Sequence, residues 1–141
     1  MSNSILPDQS KKRIVFTVGV FDLFHIGHVN LFKKARSCGD CLIVAVQDDV
    51  EKYKPDAKIY YSLEERLEVV RSCRFVDEVV VYDDVDQIIK TLDFDIFAIG
   101  PDQKHAGFQR AMKYCEENNK KVIEIPRTRG VSSTIIREIY K

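Results

Sequence analysis

From residue 13 to residue 139, short apolar runs rich in β-branched residues alternate with helical patterns, without interruption. The runs Arg13–Val18, Cys41–Val46, Phe75–Val81, Phe94–Gly100 and Lys121–Pro126 read as buried strands. Between them, Val29, Leu31, Phe32 and Ala35 fall near helical spacing. Ser62-Leu63-Glu64-Glu65 is a capping box that opens a helix with Leu63, Leu67, Val70 and Cys73 on its apolar face. Val85–Leu92 and Phe108–Asn118 are further helices, and Ser132 or Ser133 caps a last one through Ile139. Strict alternation of this kind predicts an α/β fold, a five-stranded parallel sheet with right-handed crossovers and helices on both faces. One Rossmann-like domain is expected over 13–141, preceded by a polar, frayed tail over 1–12.

Composition narrows the function classes. Lys+Arg and Asp+Glu number 22 each, so no bulk charge points to nucleic acid or to a membrane surface. No apolar run approaches the ~20 residues of a membrane span. The first ten residues lack the apolar segment of a signal peptide, and a cytoplasmic location is expected. Cys38-Gly39-Asp40-Cys41 has C-x-x-C spacing, but it lies at a helix end rather than a helix start, where the dipole would activate a thiol. Together with Cys73 and Cys115, these residues read as reduced structural thiols.

The chemistry collects at the end of the first strand. Val18-Gly19-Val20-Phe21-Asp22 leads to His25-Ile26-Gly27-His28, so two imidazoles sit where a strand turns into a helix. Ligands of open parallel sheets bind at that edge. A helix start offers unpaired N–H groups to an anion, and two imidazoles three residues apart can donate to one phosphate chain. Gly19 and Gly27 are expected to let the backbone approach that ligand. A pair with no third histidine or cysteine close by in the sequence is a poor metal site. The segment Arg127-Thr128-Arg129-Gly130-Val131-Ser132-Ser133 follows the fifth strand, on the same edge. Its hydroxyls and its bidentate guanidinium suit phosphates. Gly100-Pro101-Asp102-Gln103 closes the fourth strand there as well. The region Gln47–Tyr61 is a long loop, and Lys52, Lys54 and Lys58 within it are lid candidates.

The motifs Gly-x-Phe-Asp-x-x-His-x-Gly-His, Arg74-Phe75-Val76-Asp77-Glu78-Val79 and Pro126-Arg127-Thr128-x-Gly130-Val131-Ser132-Ser133 resemble the cytidylyltransferase family of the HxGH nucleotidyltransferase superfamily, in particular its glycerol-3-phosphate cytidylyltransferases. That resemblance implies a HUP-type fold. It also implies transfer of CMP from CTP to a small phosphorylated acceptor, such as glycerol 3-phosphate, with release of pyrophosphate. The product would be a CDP-activated precursor of capsule or teichoic-acid-type polymers. By the same resemblance His25, His28 and Arg127 are catalytic. Val18, Gly19, Val20, Phe21, Asp22, Gly27, Gly100, Asp102, Gln103, Thr128, Val131, Ser132 and Ser133 bind nucleotide. Arg66 and Arg74 join the lysines as substrate candidates, Mg²⁺ arrives on the nucleotide phosphates, and the chain forms a homodimer. Histidines that donate to phosphate would favour a partly protonated pair.

Three features depart from the family pattern. Val20 stands where the family commonly has Thr, the loop lysines are out of register, and Gln103 stands where an aromatic residue is common. The Asp102-Gln103 pair is similar to archaeal-type FAD synthetases, which keeps an ATP-using adenylyltransferase as an alternative, beside a non-catalytic nucleotide-binding module. His105 matches no motif and reads either as a solvated loop residue or as a substrate contact.

Overall fold

The computed structural model describes residues 12–48, 50, 55–56, 58–130 and 136. The elements run β1 (Ile14–Gly19), α1 (Ile26–Ser37), β2 (Cys41–Gln47), α2 (Leu63–Arg71), β3 (Glu78–Tyr82), α3 (Val85–Ile88), β4 (Ile96–Ile99), α4 (Ala106–Glu117) and β5 (Lys121–Glu124). All the pairings are parallel, in the order β3-β2-β1-β4-β5. The chain walks outward from β1 to β3, then crosses back to β4 and β5. The strand order therefore reverses between β1 and β4, which opens a crevice at their carboxyl ends.

Side chains of the central strands alternate between two cores. Val15, Leu42, Val44, Ile96 and Ala98 pack with Phe32 and Ala35 of α1 and Leu67 and Val70 of α2. Phe16, Val18, Ile43, Ala45, Phe97 and Ile99 pack on the other face with Val85, Ile89, Phe108, Ala111 and Cys115. Burial on both sides explains why these strands read as continuous apolar runs. Thr17 is the polar exception in β1, and its buried hydroxyl donates to the Ala98 carbonyl at 2.8 Å.

Element limits shift for local reasons. β3 starts at Glu78 rather than Phe75, because Val76 N–H turns back to the Cys73 carbonyl. Strand alignment begins only at Asp77, whose carboxylate accepts from Leu42 N–H at 2.7 Å. α3 is a single turn rather than the expected Val85–Leu92, and the chain continues in i→i+3 bonds from Lys90 and Thr91. α4 begins at Ala106 rather than Phe108, because His105 caps it. The helix expected through Ile139 lies outside the described residues, Ile136 excepted. Among the described residues no helix is long and apolar enough to cross a membrane.

Candidate active site

The turn from β1 to α1 holds its shape through its own side chains. Phe21 and Leu23 adopt left-handed φ values of 58° and 48°, which cost non-glycine residues energy and need support. The ring of Phe21 supplies part of it, being buried edge-on to Phe32 with centroids 5.0 Å apart. A Cβ on Gly19 would lie 2.7 Å from Phe21 Cζ. Gly19 therefore makes room for this ring, rather than for a ligand as its sequence position led us to expect. Asp22 is 1 % exposed, and its carboxylate accepts from the N–H groups of Tyr60 and Tyr61, both at 2.9 Å. Expected at the nucleotide, Asp22 instead ties the end of the β2–α2 loop to the β1 turn.

His25 is the N-cap of α1, and its Nδ1 accepts from Gly27 N–H at 3.0 Å. His28 Nδ1 accepts in return from His25 N–H at 3.1 Å, which closes a capping box made of two imidazoles. The rings stack with centroids 4.0 Å apart, and Phe24 stacks on His28 at 5.1 Å. A Cβ on Gly27 would lie 2.7 Å from His25 Cε1, so the glycine in the motif is required by the histidine before it. An Nδ1 that accepts assigns the proton of each neutral ring to Nε2. Burial also lowers the pKa of His25 below its ordinary value. The partly protonated pair expected from sequence therefore gives way, at His25, to a neutral Nε2–H donor.

Two further loops reach the same edge. After β4, Gln103 Nε2 donates to the Val18 carbonyl at 2.8 Å, while its Oε1 accepts from Gly100 N–H at 3.0 Å. The amide thus stitches β1 to β4 across the crevice, with both its oxygen and its nitrogen engaged by main chain. A Cβ on Gly100 would project into open space, which leaves the main chain accessible to a flat group. Arg127, after β5, forms an ion pair with Asp102, so the residues expected at phosphate and base are brought together. Thr128 lies against the histidine turn. Its Oγ1 accepts from Asn30 Nδ2 at 3.0 Å, and its Cβ is 3.9 Å from the Cβ position of Gly27. His105 is exposed and caps α4 through Nδ1, which accepts from Gly107 N–H at 3.1 Å.

Two expected substrate contacts are elsewhere. Arg66 is 3 % exposed and donates to the carbonyls of Tyr61, Val20, Gln47 and Asp48 at 2.7–3.4 Å. It is a buried pin between the β1–α1 turn and both ends of the β2–α2 loop. Arg74 precedes β3 and so lies at the amino-terminal edge of the sheet, opposite the histidines, with its guanidinium 5.1 Å from the centre of the Phe75 ring. Asp77 beside it is engaged by Arg36 at 3.0 Å. Lys58 is exposed, with Nζ 5.1 Å from the centre of the Tyr60 ring. Lys52, Lys54, Val131, Ser132 and Ser133 lie outside the described residues.

The cysteines also sit away from the site. Cys38 caps the carboxyl end of α1 and Cys41 opens β2 at the far sheet edge. Burial, then Asp77, raises the Cys41 thiol pKa, and burial pushes that of Cys115 up to about 11. Sequence reasoning missed Phe24, Asn30 and the structural duties of Asp22 and Arg66. Only Asn30 carried a local signal, as a polar residue two positions after the second histidine.

Known proteins resemble this chain in sequence and in fold. A family model described as cytidylyltransferase-like matches residues 16–139. The chain is 35 % identical to the glycerol-3-phosphate cytidylyltransferase of Bacillus subtilis over 127 residues, covering 88 % of this chain and 94 % of that protein. It is also 40 % identical to an FAD synthase of Thermococcus sibiricus over 124 residues, covering 84 % and 83 % of the two chains. Among solved structures, a lipopolysaccharide core biosynthesis protein of Thermoplasma volcanium shares the fold, with a TM-score of 0.73 at 24 % identity over 84 % of this chain and 99 % of that one. With its paired imidazoles on the carboxyl edge of a reversing parallel sheet, this chain belongs to the cytidylyltransferase-like family of nucleotidyltransferases.

Proposed function

We propose that the chain transfers CMP from CTP to a small phosphorylated acceptor, a phosphorylated polyol such as glycerol 3-phosphate. An ionised phosphate oxygen of the acceptor attacks the α-phosphorus in line. The bond from that phosphorus to the bridging oxygen breaks, and pyrophosphate leaves with the electron pair. The attacking oxygen is already ionised near neutral pH, so no general base is needed and catalysis is positioning with charge stabilisation. The observation that carries this reading is the double imidazole cap, whose accepting Nδ1 atoms make each neutral ring an Nε2–H donor at the start of α1. Thr128 supplies a hydroxyl next to that turn from the β5 end, and Arg127 just before it supplies a cation. Arg127 reaches phosphate by leaving Asp102, which frees the carboxylate to accept from the exocyclic amine of the base.

The described donors at the edge are imidazole, guanidinium, amide and hydroxyl groups, and the carboxylates of Asp22 and Asp102 are both engaged. This donor set fits phosphate oxygens, with Mg²⁺ carried in on the nucleotide. The ion would neutralise charge on the leaving pyrophosphate. A CDP-linked precursor of a surface polymer is the expected product, and a homodimer the expected assembly.

ATP is the second reading, favoured by the identity to an FAD synthase. Gln103 does not support it, because its amide is engaged with main chain. The test is pyrophosphate release from each of four nucleoside triphosphates with a panel of phosphorylated acceptors, for wild type, His28→Ala and Asp102→Ala. Wild type should turn over CTP best with a phosphorylated polyol. His28→Ala should bind CTP yet lose about 10²–10³-fold in kcat, the scale for one transition-state donor. Asp102→Ala should weaken nucleotide binding. Equal or faster turnover of ATP by wild type overturns the base assignment, and no turnover with any pair supports a non-catalytic module.

A further inference from the structure

We propose that Asn30 is a positioning residue that sets the direction of the Thr128 hydroxyl, and through it the grip on the nucleotide phosphates. This rests on the reading above that Thr128 binds phosphate. Asn30 projects from α1, two residues after His28, and its Nδ2 donates to Thr128 Oγ1 at 3.0 Å across 98 residues of sequence. A threonine hydroxyl has one proton and two lone pairs. With its oxygen engaged by the Asn30 amide, the hydroxyl proton has to be given to a different acceptor. The His25 acceptor beside it is already taken by Gly27 N–H. The Cβ position of Gly27, inside the histidine turn, is 3.9 Å from Thr128 Cβ. A phosphate oxygen held at that turn is the acceptor that completes the pattern. Asn30 thereby couples the helix bearing both histidines to the segment that follows β5.

A double-mutant cycle tests the assignment. The dissociation constant is measured by calorimetry with Mg²⁺ and whichever of CTP or ATP binds wild type more tightly, together with the unliganded Tm. Thr128→Val should weaken binding about tenfold, the scale for a hydrogen bond to a charged oxygen, and Thr128→Ser should restore it. Asn30→Ala should weaken binding about threefold to tenfold. Its Tm should be unchanged or raised, since alanine is the better helix former. The double variant should bind no more weakly than Thr128→Val alone. Independent, additive losses overturn the proposal, as does an Asn30→Ala variant that changes only Tm. If Thr128→Val binds like wild type, the phosphate role of Thr128 has failed and the proposal falls with it. If Thr128→Val weakens binding while Asn30→Ala does not, the site reading stands and the role of Asn30 is rejected.

Discussion

The imidazole of His25 occupies the space a Cβ on residue 27 would need, so the histidine and the glycine form one device. The ring caps the helix through Nδ1 and is left with Nε2 as its donor. Only the neutral ring can do both, because a protonated Nδ1 cannot accept from Gly27 N–H. Burial supports this by lowering the His25 pKa from 6.5. The unfolded chain therefore binds the proton more readily than the folded one, and stability rises with pH across the interval between the two values. The contribution is complete above about 6.5 and is lost as pH falls through the lower, folded value. Thermal unfolding across this range should show a Tm that drops on acidification. The drop should be smaller in His25→Asn, whose side chain caps a helix without titrating. Parallel curves for the two proteins would remove His25 from this linkage.

At the scale of elements, Arg66 does for two loops what a cap does for one helix. From α2 it reaches the Val20 carbonyl beyond β1, Gln47 at the end of β2, Asp48 after it, and Tyr61 before its own helix. Burial lowers its pKa, while Asp22 and Asp48 oppose that shift, and a guanidinium stays charged regardless. Its planar fork meets four carbonyls, a task for which an ammonium has neither the reach nor the number of donors. Arg66→Met should destabilise the fold by about 3 kcal/mol, because four carbonyls, most of them partly buried, lose a charged donor together. Arg66→Lys should recover less than half of that. Urea unfolding measures both, and a loss under about 1 kcal/mol for Arg66→Met would contradict the pinning role.

The whole molecule assembles its site from the carboxyl ends of β1, β4 and β5, where strand order reverses. The described groups at that edge include donors suited to anions, and the proposed Mg²⁺ arrives with the nucleotide. Chelation with EDTA should leave the Tm of the unliganded protein unchanged. It should remove most of the stabilisation that CTP with Mg²⁺ confers, about 2.7 kcal/mol at a hundred times Kd. A lower unliganded Tm in EDTA would show instead that the fold itself holds a cation.

The sequence by itself determined the layers and the sheet edge on which its motifs lie. β-branched runs, helical spacing, the Ser62–Glu65 capping box and the His25–His28 turn are all local, and local signals survive without the fold. Tertiary structure decided which polar groups remain available to a ligand. Asp22 and Gln103 belong to sequence motifs, yet one carboxylate is engaged by main chain 38 residues away and one amide by a carbonyl 85 residues away. Arg66 and Arg74 are both cations near motifs, but one is buried among carbonyls and the other stands at the opposite sheet edge. A side chain can satisfy a hydrogen bond or an ion pair with any group the fold brings within about 3 Å. The identity of that partner follows from strand order and crossover, which no short window of sequence contains.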